Sequence, residues 1–416
     1  MIISTYTPLI ELEGESYTPL KRLVVYSLFG NAVKKNIIRQ GEFLHDTRVH
    51  FAAALRAGYG KSTIKRFLRD VITAEGYTFS EPTSLHPEQL VGTVQIHPLT
   101  GEPKKVLGHL ADDYLIIDEA LEVLTHKEYE IARSYLNIAL DPIGTNVVVK
   151  RQVAIEREEA IKYCPECTVG FFFHPIRIPD QVVYRGFFRR VFLIYISPSE
   201  IERELALANS MTRVINWDLF NELVGKLKEL RQKKIEWKFV SYNPIIRYSK
   251  QLIEEGFNFS SKVADITDIM WFSLRDRLVK LSAILAAINN DGVIDEKAII
   301  NAYKDMYQFW RSQCYFAEDY VMLTPSYVQR QMRVRTVIDV LVQHSATSVN
   351  PVDYELVASH LTKILQVSYG LAKYLLDELI TQGILSAVNT DRGKMVYLRA
   401  NDDEYNKILT RYYGVK

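Results

Sequence analysis

"RVHFAAALRAGYGKST", Arg48 to Thr63, decides how the rest of the chain is read. A compact apolar run, "VHFAAAL", leads into glycines and then into "KSTIKRFLRDVITAEG", whose apolar residues recur at helical spacing up to a closing glycine. Strand, glycine loop and helix start, in that order, are what a phosphate cradle requires. Backbone N–H groups converge at the helix N-terminus, a lysine reaches the outer phosphates and a hydroxyl serves Mg²⁺. Gly58, Tyr59, Gly60, Lys61, Ser62 and Thr63 supply these parts. The pattern G-x-x-x-x-G-K-[ST] asks for one more glycine, where this chain has Leu55. That glycine eases the turn out of the strand, whereas Gly58 and Gly60 stand where backbone must approach phosphate oxygens. The alternative is a strand-to-helix turn that merely contains the same residues.

A second motif separates the two readings. In "DDYLIIDEA" an apolar strand delivers Asp118 and Glu119 at its carboxyl end, the edge at which an open parallel sheet binds ligands. An aspartate there holds Mg²⁺ and the adjacent glutamate orients or deprotonates a water. Together the motifs predict an ATP site in which Lys61 and Glu119 are catalytic and Ser62 and Asp118 serve the metal.

Further out, residues 18 to 200 alternate helical and strand-like segments, which predicts an α/β domain over 1–200 with a mostly parallel sheet. From 201 to 325 the strands stop and amphipathic helices follow, predicting a separate helical domain. Residues 326–400 read as three helices, 331–344, 353–364 and 368–382, and a hairpin around an Asp-Arg-Gly turn, the order of a winged helix-turn-helix; 401–416 is a tail. The composition, 48% hydrophobic and 24% charged over 416 residues, is that of a folded globular protein. A net charge of +1 excludes a chain-wide positive field, so nucleic-acid contact must come from local basic patches. The odd count of cysteines makes no disulfide framework, and no apolar run approaches the roughly 20 residues of a membrane span, so a cytoplasmic protein off the membrane is expected. Cys164 and Cys167 form one C-x-x-C pair, readable as half a zinc site or as two free thiols.

Several blocks resemble, in order, the core of the MCM-type AAA+ helicases. "LKRLVVYSLFGNAVKK" is similar to the helix and L-F-G block before that family's nucleotide loop, and "RAGYGKST" to its shortened D-P-G-x-[AG]-K-S. "HPLTGEPKKVLGHLADDYLIIDEALEVL" resembles the helix-2 insert running into the metal-binding strand, and "FFRRVFLIYI" the arginine-finger strand. The resemblance implies an AAA+ ATPase with a helical lid and a winged helix, assembled as a homo-oligomeric ring, most simply a hexamer. It implies that Arg190, or the adjacent Arg189 if the frame is off by one, reaches a neighbouring subunit's ATP. Arg275 or Arg277 would be the lid arginine at the γ-phosphate. His174 in "GFFFHP" replaces the family's sensor asparagine, and residues 1–17 leave no room for its N-terminal OB-fold and zinc collar.

Two hairpins of such a ring would point into a channel, bringing Lys104 and Lys105 on one and Lys150 and Arg151 on the other to DNA. A few cations per subunit, multiplied around a ring, suffice to neutralise a strand. Lys373 and Tyr369 on the last helix, and Arg392 and Lys394 on the wing, would touch duplex DNA. The expected activity is ATP-driven translocation on or unwinding of DNA in replication. The alternatives are an initiator or mobile-element protein that loads or remodels DNA without processive movement, and a non-hydrolysing DNA-binding adaptor.

Overall fold

The computed structural model describes residues 2–40, 43–83, 85–96, 103–154, 157–179, 182, 186–210, 216–322, 336–344, 346, 348–365, 369–381, 385–391 and 393–398. The chain divides into two compact units, Met1–Val321 and Met322–Lys416.

The first unit is built on a five-stranded parallel sheet: β1 (Phe51–Ala54), β2 (Phe79–Ser80), β3 (Tyr114–Ile117), β4 (Thr168–Phe173) and β5 (Phe192–Tyr195), in the order β5-β1-β4-β3-β2. β1, β3 and β4 are buried along their whole length, as a sheet covered on both faces requires. The alanines of β1 leave room for the phenylalanines of β4, and Phe51 meets Phe172 edge to face at 5.8 Å. Gly170 is needed for this fit, since a Cβ there would lie 2.6 Å from the Phe51 ring and 2.7 Å from Ile116 Cδ1. The register pairs Ala54 with Phe173 and Ile117 with Phe171, so the segments following β1 and β3 leave from the same edge of the sheet.

α1 (Thr18–Ala32) is buried from Leu23 through Ala32, a central helix. α2 (Lys61–Glu75) buries Ile64, Phe67, Leu68, Val71 and Ile72 and ends at Gly76 in the left-handed conformation. Beyond β5 come α3 (Trp217–Gln232), α4 (Asn243–Phe259), α5 (Ser261–Asn289) and α6 (Glu296–Tyr320). Asn216, Ser260 and Asp295 cap the starts of α3, α5 and α6. α6 lies along β5, where Tyr195 N–H donates to Ser312 Oγ at 2.8 Å. The helices expected as a separate domain therefore share one core with the sheet.

That core contains a buried ion pair. Arg48, fully buried, donates from Nη2 to Asp46 at 2.7 Å and to the carbonyls of Ala139, Cys167 and Asp141. Burial alone would raise the Asp46 pKa, but Arg48 and Lys280 hold it far below the usual carboxylate range. Stability from a depressed carboxyl is present above its unfolded pKa and lost as the pH falls towards the folded value. Arg48→Met, which leaves the buried Asp46 with Lys280 and backbone N–H groups alone, should cost about 3 kcal/mol at neutral pH and shrink the acid limb of stability. Denaturant titrations at neutral pH and below the unfolded carboxyl pKa, at about pH 3, measure both, and a neutral-pH loss below about 1 kcal/mol, a surface pair's worth, would contradict this account.

The second unit packs a helix over 336–343, α7 (Tyr354–Leu365) and α8 (Tyr369–Thr381) against an antiparallel sheet of β6 (Val352–Asp353), β7 (Leu385–Thr390) and β8 (Gly393–Leu398), ordered β6-β8-β7. Val337, Leu341, Val357, Leu361, Leu376 and Val396 form its core. No helix among the described residues is long and apolar enough to cross a membrane.

Candidate functional site

Leu55 continues β1. Its N–H donates to Phe173 O at 3.0 Å and its side chain is fully buried, so the position where a glycine was expected belongs to the sheet. The loop proper is Arg56–Gly60, exposed over its first half. Gly58 and Gly60 have φ of 80° and 94°, a left-handed region that favours glycine. They differ in surroundings. A Cβ on Gly58 would meet open space, whereas one on Gly60 would lie 2.3 Å from Leu12 Cδ2. The segment carrying Leu12 is held against the loop and α2 by a Glu11–Arg66 ion pair at 2.7 Å. Gly58→Ala should therefore cost about 1 kcal/mol through the backbone alone, and Gly60→Ala clearly more because Leu12 must also move. Comparison of urea midpoints decides, and the reverse order would refute the packing described here.

Lys61 opens α2, with Ser62 exposed and Thr63 half-buried behind it. Lys61 Nζ lies 2.9 Å from Glu119 Oε1 and 3.4 Å from Asp118 Oδ1. The two sequence motifs thus converge across the β4 strand that separates β1 from β3. Glu119 has φ of 49° and ψ of 39°, costly for a residue with a side chain, and this turn directs its half-exposed carboxylate to the lysine. Burial tends to raise the Asp118 pKa, but the hydrogen bonds from Lys65 and from Glu119 N–H and the nearby ammonium charges hold it below its ordinary value.

Lys65 was missed by the sequence reading. Its Nζ donates to Asp118 Oδ2 at 2.7 Å and to Glu81 Oε1 at 2.6 Å, and Arg69 closes on Glu81 Oε2 at 2.6 Å. The signal was present in the spacing of Lys61, Lys65 and Arg69 along one face of α2. Glu81 had no comparable signal, because it follows a strand of only two residues.

A nucleotide with Mg²⁺ fits this donor set. Loop N–H groups and the helix start suit phosphate, Lys61 supplies the charge, and Ser62 and Asp118 offer the hard oxygens that Mg²⁺ prefers. Comparison with protein-family models and with curated proteins returns no match.

Other expected residues fall elsewhere. Phe187–Arg190 is a short helical turn after Gly186, not part of a strand, and β5 begins beyond it. Arg190 Nε donates to Asp141 Oδ1 at 2.7 Å. Arg277 is corrected outright: it is buried, donates to Phe188 O, Val191 O and, at 2.9 Å, Gln313 Oε1, and has its pKa pushed down to about 9 by burial. It braces α5 against the β5 entry and is not available to a phosphate. Arg275 donates to Asp276 at 2.9 Å and lies over the Phe272 ring. His174 is half-exposed just past β4.

Lys104 and Lys105 are exposed on Pro103–Leu107, which pairs with Gly92–Ile96 in a hairpin whose tip lies outside the described residues. Lys150 and Arg151 lie on a second hairpin, Val148–Ala154 with Arg157–Tyr163; their side chains are outside the described set. Lys373 pairs with Glu355 at 2.6 Å and Lys394 with Asp377 at 2.8 Å, while the Tyr369 hydroxyl donates to Glu355. Arg392 lies outside the described residues. Burial pushes the Cys167 thiol up to about 11, and Cys164 Sγ accepts from Gly144 N–H at 3.3 Å.

Proposed function

We propose that this chain is an MCM-like AAA+ ATPase that works on DNA as a homo-oligomeric ring, most simply a hexamer. The observation that carries the reading is the meeting of Lys61 with Asp118 and Glu119 at the carboxyl edge of a parallel sheet, beside a loop whose glycines adopt left-handed backbone. The five-strand order, with β4 between the loop strand and the acid strand, supports the same reading.

In this mechanism the loop N–H groups and Lys61 bind the ATP phosphates, while Ser62 and Asp118 hold Mg²⁺. Bound Mg²⁺ neutralises phosphate charge and polarises the transferring group. Lys61 Nζ would exchange Glu119 Oε1 for phosphate, and the freed Oε1 would take a proton from the water whose oxygen bonds to the γ-phosphorus as the bond to the β,γ-bridging oxygen breaks and ADP leaves. Arg190 supplies a cation to the next subunit's site. Lys104, Lys105, Lys150 and Arg151 provide local phosphate contacts that a net charge of +1 does not.

Electron microscopy with a non-hydrolysable ATP analogue and forked DNA, paired with strand displacement, tests ring, site and substrate together. Persistent monomers with no DNA-stimulated turnover would sink the proposal. A second reading, an ATP-dependent loader or remodeller without processive movement, uses the same nucleotide site. DNA-stimulated turnover with binding but no strand displacement would select it.

A further inference from the structure

Lys65 has no part in the mechanism above, yet it is the best-anchored cation at the site. One turn along α2 from Lys61, it is held between Asp118 Oδ2 at 2.7 Å and Glu81 Oε1 at 2.6 Å. Arg69, a further turn on, takes the other oxygen of Glu81 at 2.6 Å. Glu119, Lys61, Asp118, Lys65, Glu81 and Arg69 thus form a line of charges alternating in sign, cations from one face of α2 and acids from the ends of β3 and β2. The Lys65 side chain is only 14% exposed, so water screens it weakly.

The geometry divides the Asp118 carboxylate. Oδ2 accepts from Lys65, while Oδ1 accepts from Glu119 N–H at 3.0 Å and faces Lys61. A carboxylate fixed at both oxygens presents one orientation to a metal, and its free charge is diminished by an ammonium that never leaves with the nucleotide.

We propose that Lys65 is a positioning residue that fixes Asp118 and, as a built-in cation beside it, sets the concentration of Mg²⁺ the nucleotide site requires. This rests on the nucleotide reading of Lys61 and Asp118. Glu81 acts in the opposite sense, since it neutralises part of the Lys65 charge. Removing Lys65 makes the cluster more negative by one charge and draws a divalent cation more strongly. Removing the Glu81 charge does the reverse. A purely structural role would move both variants the same way.

The test is equilibrium binding of a fluorescent non-hydrolysable ATP analogue to the full chain, titrated with free Mg²⁺. Lys65→Met should lower the half-saturating Mg²⁺ by about tenfold, the size expected for loss of one close charge. Lys65→Arg should stay within about twofold of the parent because the cation is kept. Glu81→Gln should raise the midpoint, and it carries the test alone if Lys65→Met does not fold. An unchanged or raised midpoint in folded Lys65→Met, or a lowered one in Glu81→Gln, overturns the inference while leaving the nucleotide site standing. Failure of the parent protein to bind the analogue at any Mg²⁺ concentration overturns the nucleotide reading and this inference with it.

Discussion

Lys61→Ala should lose nucleotide affinity by about 10²-fold or more, the scale for removing one partner of a desolvated charge pair, and turnover with it. Glu119→Gln should bind ATP as the parent does but hydrolyse it about 10² to 10⁴ times more slowly, the contribution typical of a positioned general base. The contrast follows from the geometry: Lys61 Nζ sits between the two acids at the head of α2, whereas Glu119 reaches it from a strained turn at half exposure. Neutralising Glu119 leaves the loop glycines and the α2 start untouched, so binding survives. Binding isotherms and single-turnover hydrolysis separate the two effects. Undiminished turnover in both variants would remove the site assigned here.

Arg190→Ala should lower the rate by about 10³ to 10⁵ with little change in nucleotide affinity, if its cation completes a neighbouring subunit's site. Within its own chain Arg190 is paired with Asp141 at 2.7 Å and donates to Gly186 O at 3.3 Å, so a role in a partner requires it to exchange Asp141 for phosphate. Mixing Arg190→Ala with Glu119→Gln subunits should restore part of the activity. Some interfaces then draw Glu119 from the first variant and Arg190 from the second. If Arg189→Ala is the inactive variant instead, the finger is the neighbouring arginine. Turnover insensitive to both substitutions and to dilution would mean that each chain works alone.

Much of the fold was readable because local chemistry and global structure agree. The apolar runs before Leu55 and Asp118 are buried strands, α2 follows its helical period to Gly76, and the hairpin turn falls between Thr390 and Gly393. The resemblance put Arg275 or Arg277 at the γ-phosphate, whereas the Arg277 guanidinium is used up by carbonyls in the core. The resemblance ran "FFRRVFLIYI" together as one strand, whereas Gly186 and the turn after it separate the arginines from β5. Residues 201–325 read as a domain of their own because periodicity shows that a face is buried, not what it is buried against. The spacing of Lys61, Lys65 and Arg69 marked a shared helix face, but the acids it meets went unseen because a charge ladder between two elements is a property of their juxtaposition.

Leu55 has a consequence for how such loops are recognised. A search pattern for this class of loop is written across a boundary: its first glycine lies where the strand ends, and its remaining positions lie where a ligand would be met. Here the boundary falls after Leu55, which is bonded to Phe173 and sealed in the core. Scoring every position equally penalises the chain for a residue answerable only to side-chain packing. Under the nucleotide reading proposed above, the residue that departs from the pattern answers to packing, whereas Gly58, Gly60 and Lys61 are the ones that would meet phosphate.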